Sequence, residues 1–142
     1  MADEVTRSVD LDAAVDDVWR AVTDPDERAL WLDDPDAVSR RMRVDEAAPG
    51  ERLVWTWWRP GEEGDASTVS VVLSPLDSGG TRVVVTESLP AYAPVQVQAK
   101  AQAHAQMQAR ADIRAAAVAA WAARLVGLEL VFAGGRVPVA VA

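Results

Sequence analysis

The sequence predicts an α+β fold: an antiparallel sheet of about five main strands against one long C-terminal helix. Three observations carry this. Period-two stretches between residues 38 and 88 are separated by short Pro/Gly turns. A helical 3.6-period segment follows the first strand. Residues 95–126 are rich in Ala and Gln and contain no Gly or Pro. The 142 residues suit a single domain, and half of them are hydrophobic, enough for a core.

The elements follow in order. In "EVTRSVDL" (4–11) Val5, Val9 and Leu11 share one side, as a strand requires, and Arg7 falls with them. In "AAVDDVWRAVT" (13–23) Val15, Val18, Trp19 and Val22 fall on one helix face, with Asp12 as the expected N-cap. "DPDE" offers Asp24 as a cap and Pro25 at the first helical position, so a second short helix is expected from Pro25 to Leu32, ended by "DDPD" (33–36). "VSRRMRVDE" (38–46), "RLVWTWWR" (52–59), "STVSVVLSPL" (67–76) and "TRVVVTES" (81–88) then read as four strands joined by turns, an antiparallel meander. Alternation puts Leu53, Trp55 and Trp57 inward and Trp58 on the opposite face.

After "LPAYAP" one long helix is expected. Its second half carries Ile113, Ala117, Trp121, Leu125 and Leu128 as a stripe; its first half has only Ala99, Ala103, Met107 and Ala111. The tail "LELVFAGGRVPVAVA" reads as a helix capped at Gly134 or as a hairpin at Gly134-Gly135. Helix to about Phe132 followed by an extended tail is preferred.

Charge and composition exclude several functions. Residues 1–65 hold 18 acids and 8 arginines, net −10, against net +2 for the remainder. Such a surface repels phosphate backbones, so nucleic-acid binding is disfavoured. The longest uninterrupted apolar run is shorter than the roughly 18–20 residues of a membrane span, and the acidic opening lacks a signal peptide's character. With no cysteine, a reducing cytoplasm is the simplest address.

Catalytic motifs are sparse. His104 is the only histidine, so no two-His metal set can form, and no phosphate loop, dinucleotide fingerprint or serine nucleophile elbow is present. No cofactor is expected. The adjacent acids Asp16–Asp17 and Asp33–Asp34 sit at helix ends, where capping explains them. Tyr92 follows the last strand and reads as a packed aromatic or a hydrogen-bonding group at a cavity mouth.

Segments of the chain resemble a known family. "VTRSVDLDAAVDDVWRAVTDPDERALWL" (5–32) resembles the opening of START-like (SRPBCC) proteins, "RVDEAAPGERLVWTW" (43–57) their strand–turn–strand signature, and "VVLSPLDSGGTRVVVTES" (71–88) the hairpin after it. The nearest branch is the one related to the C-terminal domain of activators of the heat-shock-protein-90 ATPase. The resemblance implies a helix-grip fold, with two short helices after the first strand. One departure stands out. The glycine-rich hairpin usual between the second helix and the "RVDE…RLVW" strands is replaced by about ten residues, 33–42.

The resemblance implies three functions. The first is non-catalytic binding of a small apolar ligand between sheet and long helix, in a cavity lined by Arg7, Trp55, Trp57, Val69, Val71, Val83, Val85, Tyr92, Met107 and Trp121. The second is a protein-interaction module like the chaperone activators, with possible homo-oligomers through the alanine stripe. The third is a cyclase- or hydratase-like enzyme, for which Arg7, Tyr92 and Glu87 are the few candidate groups.

Overall fold

A computed structural model describes residues 3–90 and 100–136, with side chains at 3–90 and 107–133. Five strands form one antiparallel sheet: β1 (Glu4–Leu11), β2 (Arg41–Ala48), β3 (Arg52–Trp58), β4 (Ser67–Pro75) and β5 (Thr81–Ser88), in the order β1-β5-β4-β3-β2. The last four make the expected meander. The first closes the sheet by pairing with the last, Glu4 opposite Ser88 and Leu11 opposite Thr81. Between β1 and β2 lie α1 (Val15–Thr23), α2 (Pro25–Arg28) and α3 (Pro35–Ser39); α4 (Lys100–Arg136) follows the sheet. This is the helix-grip arrangement.

Strand alternation builds the core. Leu53, Trp55 and Trp57 of β3, Val69, Val71 and Leu73 of β4, and Val83 and Val85 of β5 are all buried, as are Trp121, Leu125 and Leu128 of α4. Trp55, Trp57 and Trp121 form one aromatic cluster. Trp55 meets Trp57 edge-on at 5.7 Å between ring centroids, and Trp57 stacks on Trp121 at 5.9 Å. Trp58, on the other face, is only half-buried. From the two-helix segment, Val18, Ala21, Val22 and Trp31 enter the same core, and Trp31 Nε1 donates to the Ala21 carbonyl at 2.9 Å. Gly127 of α4 lies over Trp31, where the carbonyl oxygen of Trp31 approaches to 3.7 Å of a would-be Cβ.

Turn chemistry behaves as the sequence requires. The hairpin between β4 and β5 closes through Gly79 N to Leu76 O and Leu76 N to Gly80 O, both 2.9 Å, with Gly79 at φ +91°. A Cβ on Gly80 would run into the Leu11 carbonyl.

Four expectations need correction. First, α1 starts two residues later than Asp12 as a cap would place it. Its N-cap is Ala14, which supplies no side-chain hydrogen bond. Second, "DDPD" does not simply end a helix. Asp34 repeats the chemistry of Asp24: its carboxylate accepts from Ala37 N at 3.1 Å, Pro35 takes the first helical position, and α3 results. The short segment that replaces the hairpin is thus a third helix. Third, α4 runs on to Arg136, through the glycines expected to end it, and residues 95–99 and 137–142 lie outside the described residues. Fourth, counting uninterrupted apolar runs understates α4. Met107–Ala133 is long and apolar enough, by composition, to cross a membrane. Here it is the helix that closes the core through Trp121, Leu125 and Leu128.

Because Trp57 is buried and Trp58 half-exposed, Trp57→Ala should cost about 3–5 kcal/mol and Trp58→Ala well under half of that in urea melts. Equal losses would mean that the inward face of β3 is assigned wrongly.

Candidate functional site

Inward alternation does not end with apolar residues. On β5, Val83 and Val85 are followed on the same side by Glu87, and on β4 the series Leu73, Val71, Val69 ends in Ser67. Both polar side chains are buried, Glu87 at 3% exposure. The Glu87 carboxylate accepts three hydrogen bonds. Oε2 takes Trp57 Nε1 at 3.0 Å and Ser67 Oγ at 2.5 Å, and Oε1 takes Trp121 Nε1 at 2.8 Å. Without such donors a buried carboxylate would carry a desolvation cost of several kcal/mol (roughly, for an ion in protein). By contrast Trp55 Nε1 has no partner, the one such buried side-chain atom among the described residues.

Beside this group lies a second polar cluster. Arg124 is one helical turn beyond Trp121, inside the apolar stripe of α4, and is buried. Its guanidinium forks onto Asp34 at 2.8 and 2.9 Å, reaches Asp36 at 3.2 Å, and lies over the Trp121 ring at 4.8 Å. Arg40 also bonds Asp36, at 3.1 Å, and covers Trp57 at 4.6 Å; Arg59 bonds the other Asp36 oxygen at 2.5 and 3.0 Å. α3 therefore has a definite role. It presents Asp34 from its N-cap and Asp36 from its first turn to three arginines arriving from its own C-terminal end, from the end of β3 and from α4.

These contacts set the ionisation of the cluster. The Arg124 hydrogen bond, opposed by burial and helped by Ala37 N–H, holds the Asp34 carboxyl below the usual aspartate value. Burial pushes Asp36 up, but Arg40 and Arg59 outweigh it and the net shift is downward. Burial likewise pulls Arg124 down, and Asp34, Asp36 and Glu87 together raise it.

Where the core ends, a cleft of about 820 Å³ begins. Its apolar wall includes Ile113, Ala116, Ala117 and Ala120 of α4 with Leu89; its polar floor includes Ser67, Glu87, Arg40, Arg59, Asp36 and Arg124. The α4 stripe thus divides. Trp121, Leu125 and Leu128 close the core, while Ile113 and Ala117 face open space.

The expected lining residues fall elsewhere. Trp55, Trp57, Val69, Val71, Val83, Val85 and Trp121 are at most 1% exposed and pack on one another as core. Arg7 shares the inward side of β1, but β1 is an edge strand and the side chain is exposed outside the cleft. Met107 is 69% exposed. It lies 14 residues before Trp121, roughly 21 Å along the helix at 1.5 Å per residue, past the core-closing stretch. Tyr92 lies outside the described residues, and the side chains of Ala99, Ala103 and His104 do too. The residues that sequence reasoning passed over are Ser67, Asp36, Arg40, Arg59 and Arg124; Asp34, expected only to cap a helix end, both caps α3 and pairs with Arg124. Two had a readable signal: Ser67 on an inward strand position, and Arg124 within an apolar helical stripe. No group of three His, Asp or Glu side chains among the described residues is arranged to hold a metal.

Comparison with known proteins adds a family. Residues 12–119 match the family model described as "Activator of Hsp90 ATPase homolog 1-like protein". No curated protein matches the chain. Among solved structures, DynU16 of the dynemicin biosynthetic locus superposes with TM-score 0.64 at 23% identity, over 91% of this chain and 46% of its own. The chain therefore spans under half of that neighbour. The Aha1 dimer from Colwellia psychrerythraea gives 0.58 at 16% identity, over 92% and 96% of the two chains. An HSP90 activator from Plasmodium falciparum gives 0.54 at 14%, over 72% and 84%. At these identities the likeness is one of fold.

The depressed carboxyls make a pH prediction. A group whose folded pKa lies below its unfolded value stabilises fully above the unfolded value, and that stability is lost as pH falls through the folded one. With both aspartates below 3.8, stability should be level near neutrality and fall steeply below about pH 4. Asp34→Asn should lower stability at pH 7 by on the order of 2 kcal/mol, less than for a fully buried pair because Asp34 is a third exposed. It should also flatten the acid limb. Urea melts from pH 7 to 3 read both, and an unchanged acid limb would contradict the assignment.

Proposed function

Because this chain belongs to the family of Activator of Hsp90 ATPase homolog 1-like proteins, we propose that it is a non-catalytic binding module whose site is the cleft between α4 and the Ser67 and Glu87 ends of β4 and β5. The ligand is a small, largely apolar molecule with a polar end. The observation that carries this reading is the cleft itself. Its volume of about 820 Å³ lies within the usual range for small-molecule sites, and its composition joins an apolar helix face to a few convergent polar groups. The ligand class is thus more polar at one end than an all-apolar cavity would take. Binding is favoured over catalysis because the buried ionisable groups are occupied: Glu87 accepts three hydrogen bonds, and Arg124 is held by two aspartates. The fold needs no disulfide, which suits the cytoplasm.

A second reading draws on a different observation. Met107, Val126 and Leu130 are large apolar side chains exposed on α4. They fit a protein-interaction surface, as the family's description suggests, or contact with a second copy, as in the Aha1 dimer. Native mass spectrometry at micromolar concentration separates a monomer from a dimer.

The cleft reading is tested with the uncharged dye Nile red. Wild-type protein should bind it saturably, and Ala117→Trp, which fills the cleft from α4, should weaken binding at least about tenfold with an unchanged melting temperature. Unsaturable binding, or equal affinity in Ala117→Trp, would overturn the reading.

A further inference from the structure

The polar end of the cleft has a distinct chemistry. Arg40, Arg59 and Arg124 converge on Asp36, and with Asp34 they share two carboxylates among three guanidiniums. Arg124 is enclosed by its partners, its side chain 3% exposed. Arg40 and Arg59 instead line the open space. Each bonds Asp36 through Nε and Nη2, and Nη1 of each makes no hydrogen bond among the described residues. A guanidinium has five N–H donors in a planar fork matched to a carboxylate. The Arg40 guanidinium also lies over the Trp57 ring, 4.6 Å from its centroid, a contact that restricts where its donors can point. Arg59 is half-exposed and free to re-pair.

Resting on the cleft reading, we infer that the polar end of the ligand is a single carboxylate, received by Arg40 and Arg59 beside Asp36, with its apolar body along Ile113, Ala117 and Ala120. The ligand class is an amphipathic organic acid. The rest of the wall argues against a multiply charged head such as a phosphate ester. Asp3, Glu62 and Asp65 also line the cleft, and the last two are exposed. Their repulsion rises with ligand charge, and with Glu87 counted the carboxylates lining the cleft outnumber its guanidiniums, Arg110 included, so a singly charged head is accommodated where a multiply charged one is repelled.

The test uses decanoate and decanol, which share an apolar body and differ at the head, with affinities from calorimetry. Wild-type protein should prefer decanoate by about tenfold or more, the discrimination that a charge-assisted fork supplies. Arg59→Gln should reduce the preference to about twofold and leave decanol affinity unchanged; a raised salt concentration should act the same way. Arg82→Gln removes an equal charge at the opposite end of β5, where Arg82 pairs with Asp10, and should keep the preference. Equal affinity for the two probes would overturn the carboxylate inference while leaving the cleft reading intact. Equal loss in Arg82→Gln would overturn it too, by making the effect one of net charge. Failure of both probes to bind would overturn the cleft reading and this inference together.

Discussion

The fold depends on how it accommodates one buried carboxylate. Glu87 stands at an inward position of β5 that the alternation of Val83 and Val85 would otherwise give to an apolar side chain. Its three donors come from three other elements: Trp57 from β3, Ser67 from β4 and Trp121 from α4. Hydrogen bonds to a charged acceptor contribute about 1.5–3 kcal/mol each, and a buried charge without them is strongly destabilising. Glu87 is thus well satisfied only when the long helix is seated on the sheet in one register. Hydrophobic burial of Trp121, Leu125 and Leu128 favours docking of the helix. The carboxylate selects where along the sheet it docks, because an apolar stripe alone tolerates sliding.

The same constraint fixes the boundary between core and cleft. Below Glu87 the tryptophan cluster fills the space between sheet and helix. Beyond it, the helix presents alanines and Ile113, which are too small and too few to fill the gap. Arg124 and Arg40 lie over the Trp121 and Trp57 rings and cap the aromatic cluster with charge. Their counter-ions come from the start of α3. The charge at this end of the site is thus set by a short helix start that carries two aspartates.

Much of the architecture was legible in the sequence, and the reasons are local. The limits of β1 and β5 follow from period-two alternation bounded by turns, and the inward placement of Trp55 and Trp57 follows from the same periodicity. The third helix was missed because Asp34-Pro35 was read as a stop, although Asp24-Pro25 ten residues earlier carries the same start chemistry. The site was much less legible. The expected cavity residues are the inward apolar ones, and such residues fill space as readily as they enclose it. Packing decides between the two outcomes, and packing depends on side-chain volumes summed across elements distant in sequence. The ion cluster joins residues 34, 36, 40, 59 and 124, and no local pattern pairs an acid with a guanidinium some 90 positions away. Arg124 within an apolar stripe and Glu87 on an inward strand position were the visible irregularities, and both mark the floor of the cleft.

The claim that Glu87 ties the helix to the sheet is tested most directly by a double-mutant cycle between Glu87→Gln and Trp121→Phe, read by denaturant unfolding. Glutamine keeps the size of the side chain but replaces one acceptor oxygen with a donor, and phenylalanine keeps an aromatic ring without the indole N–H. If the Glu87–Trp121 bond carries the docking, the two losses should be non-additive by at least about 1 kcal/mol. Additivity within about 0.5 kcal/mol would contradict the account and leave the helix held by apolar contact alone.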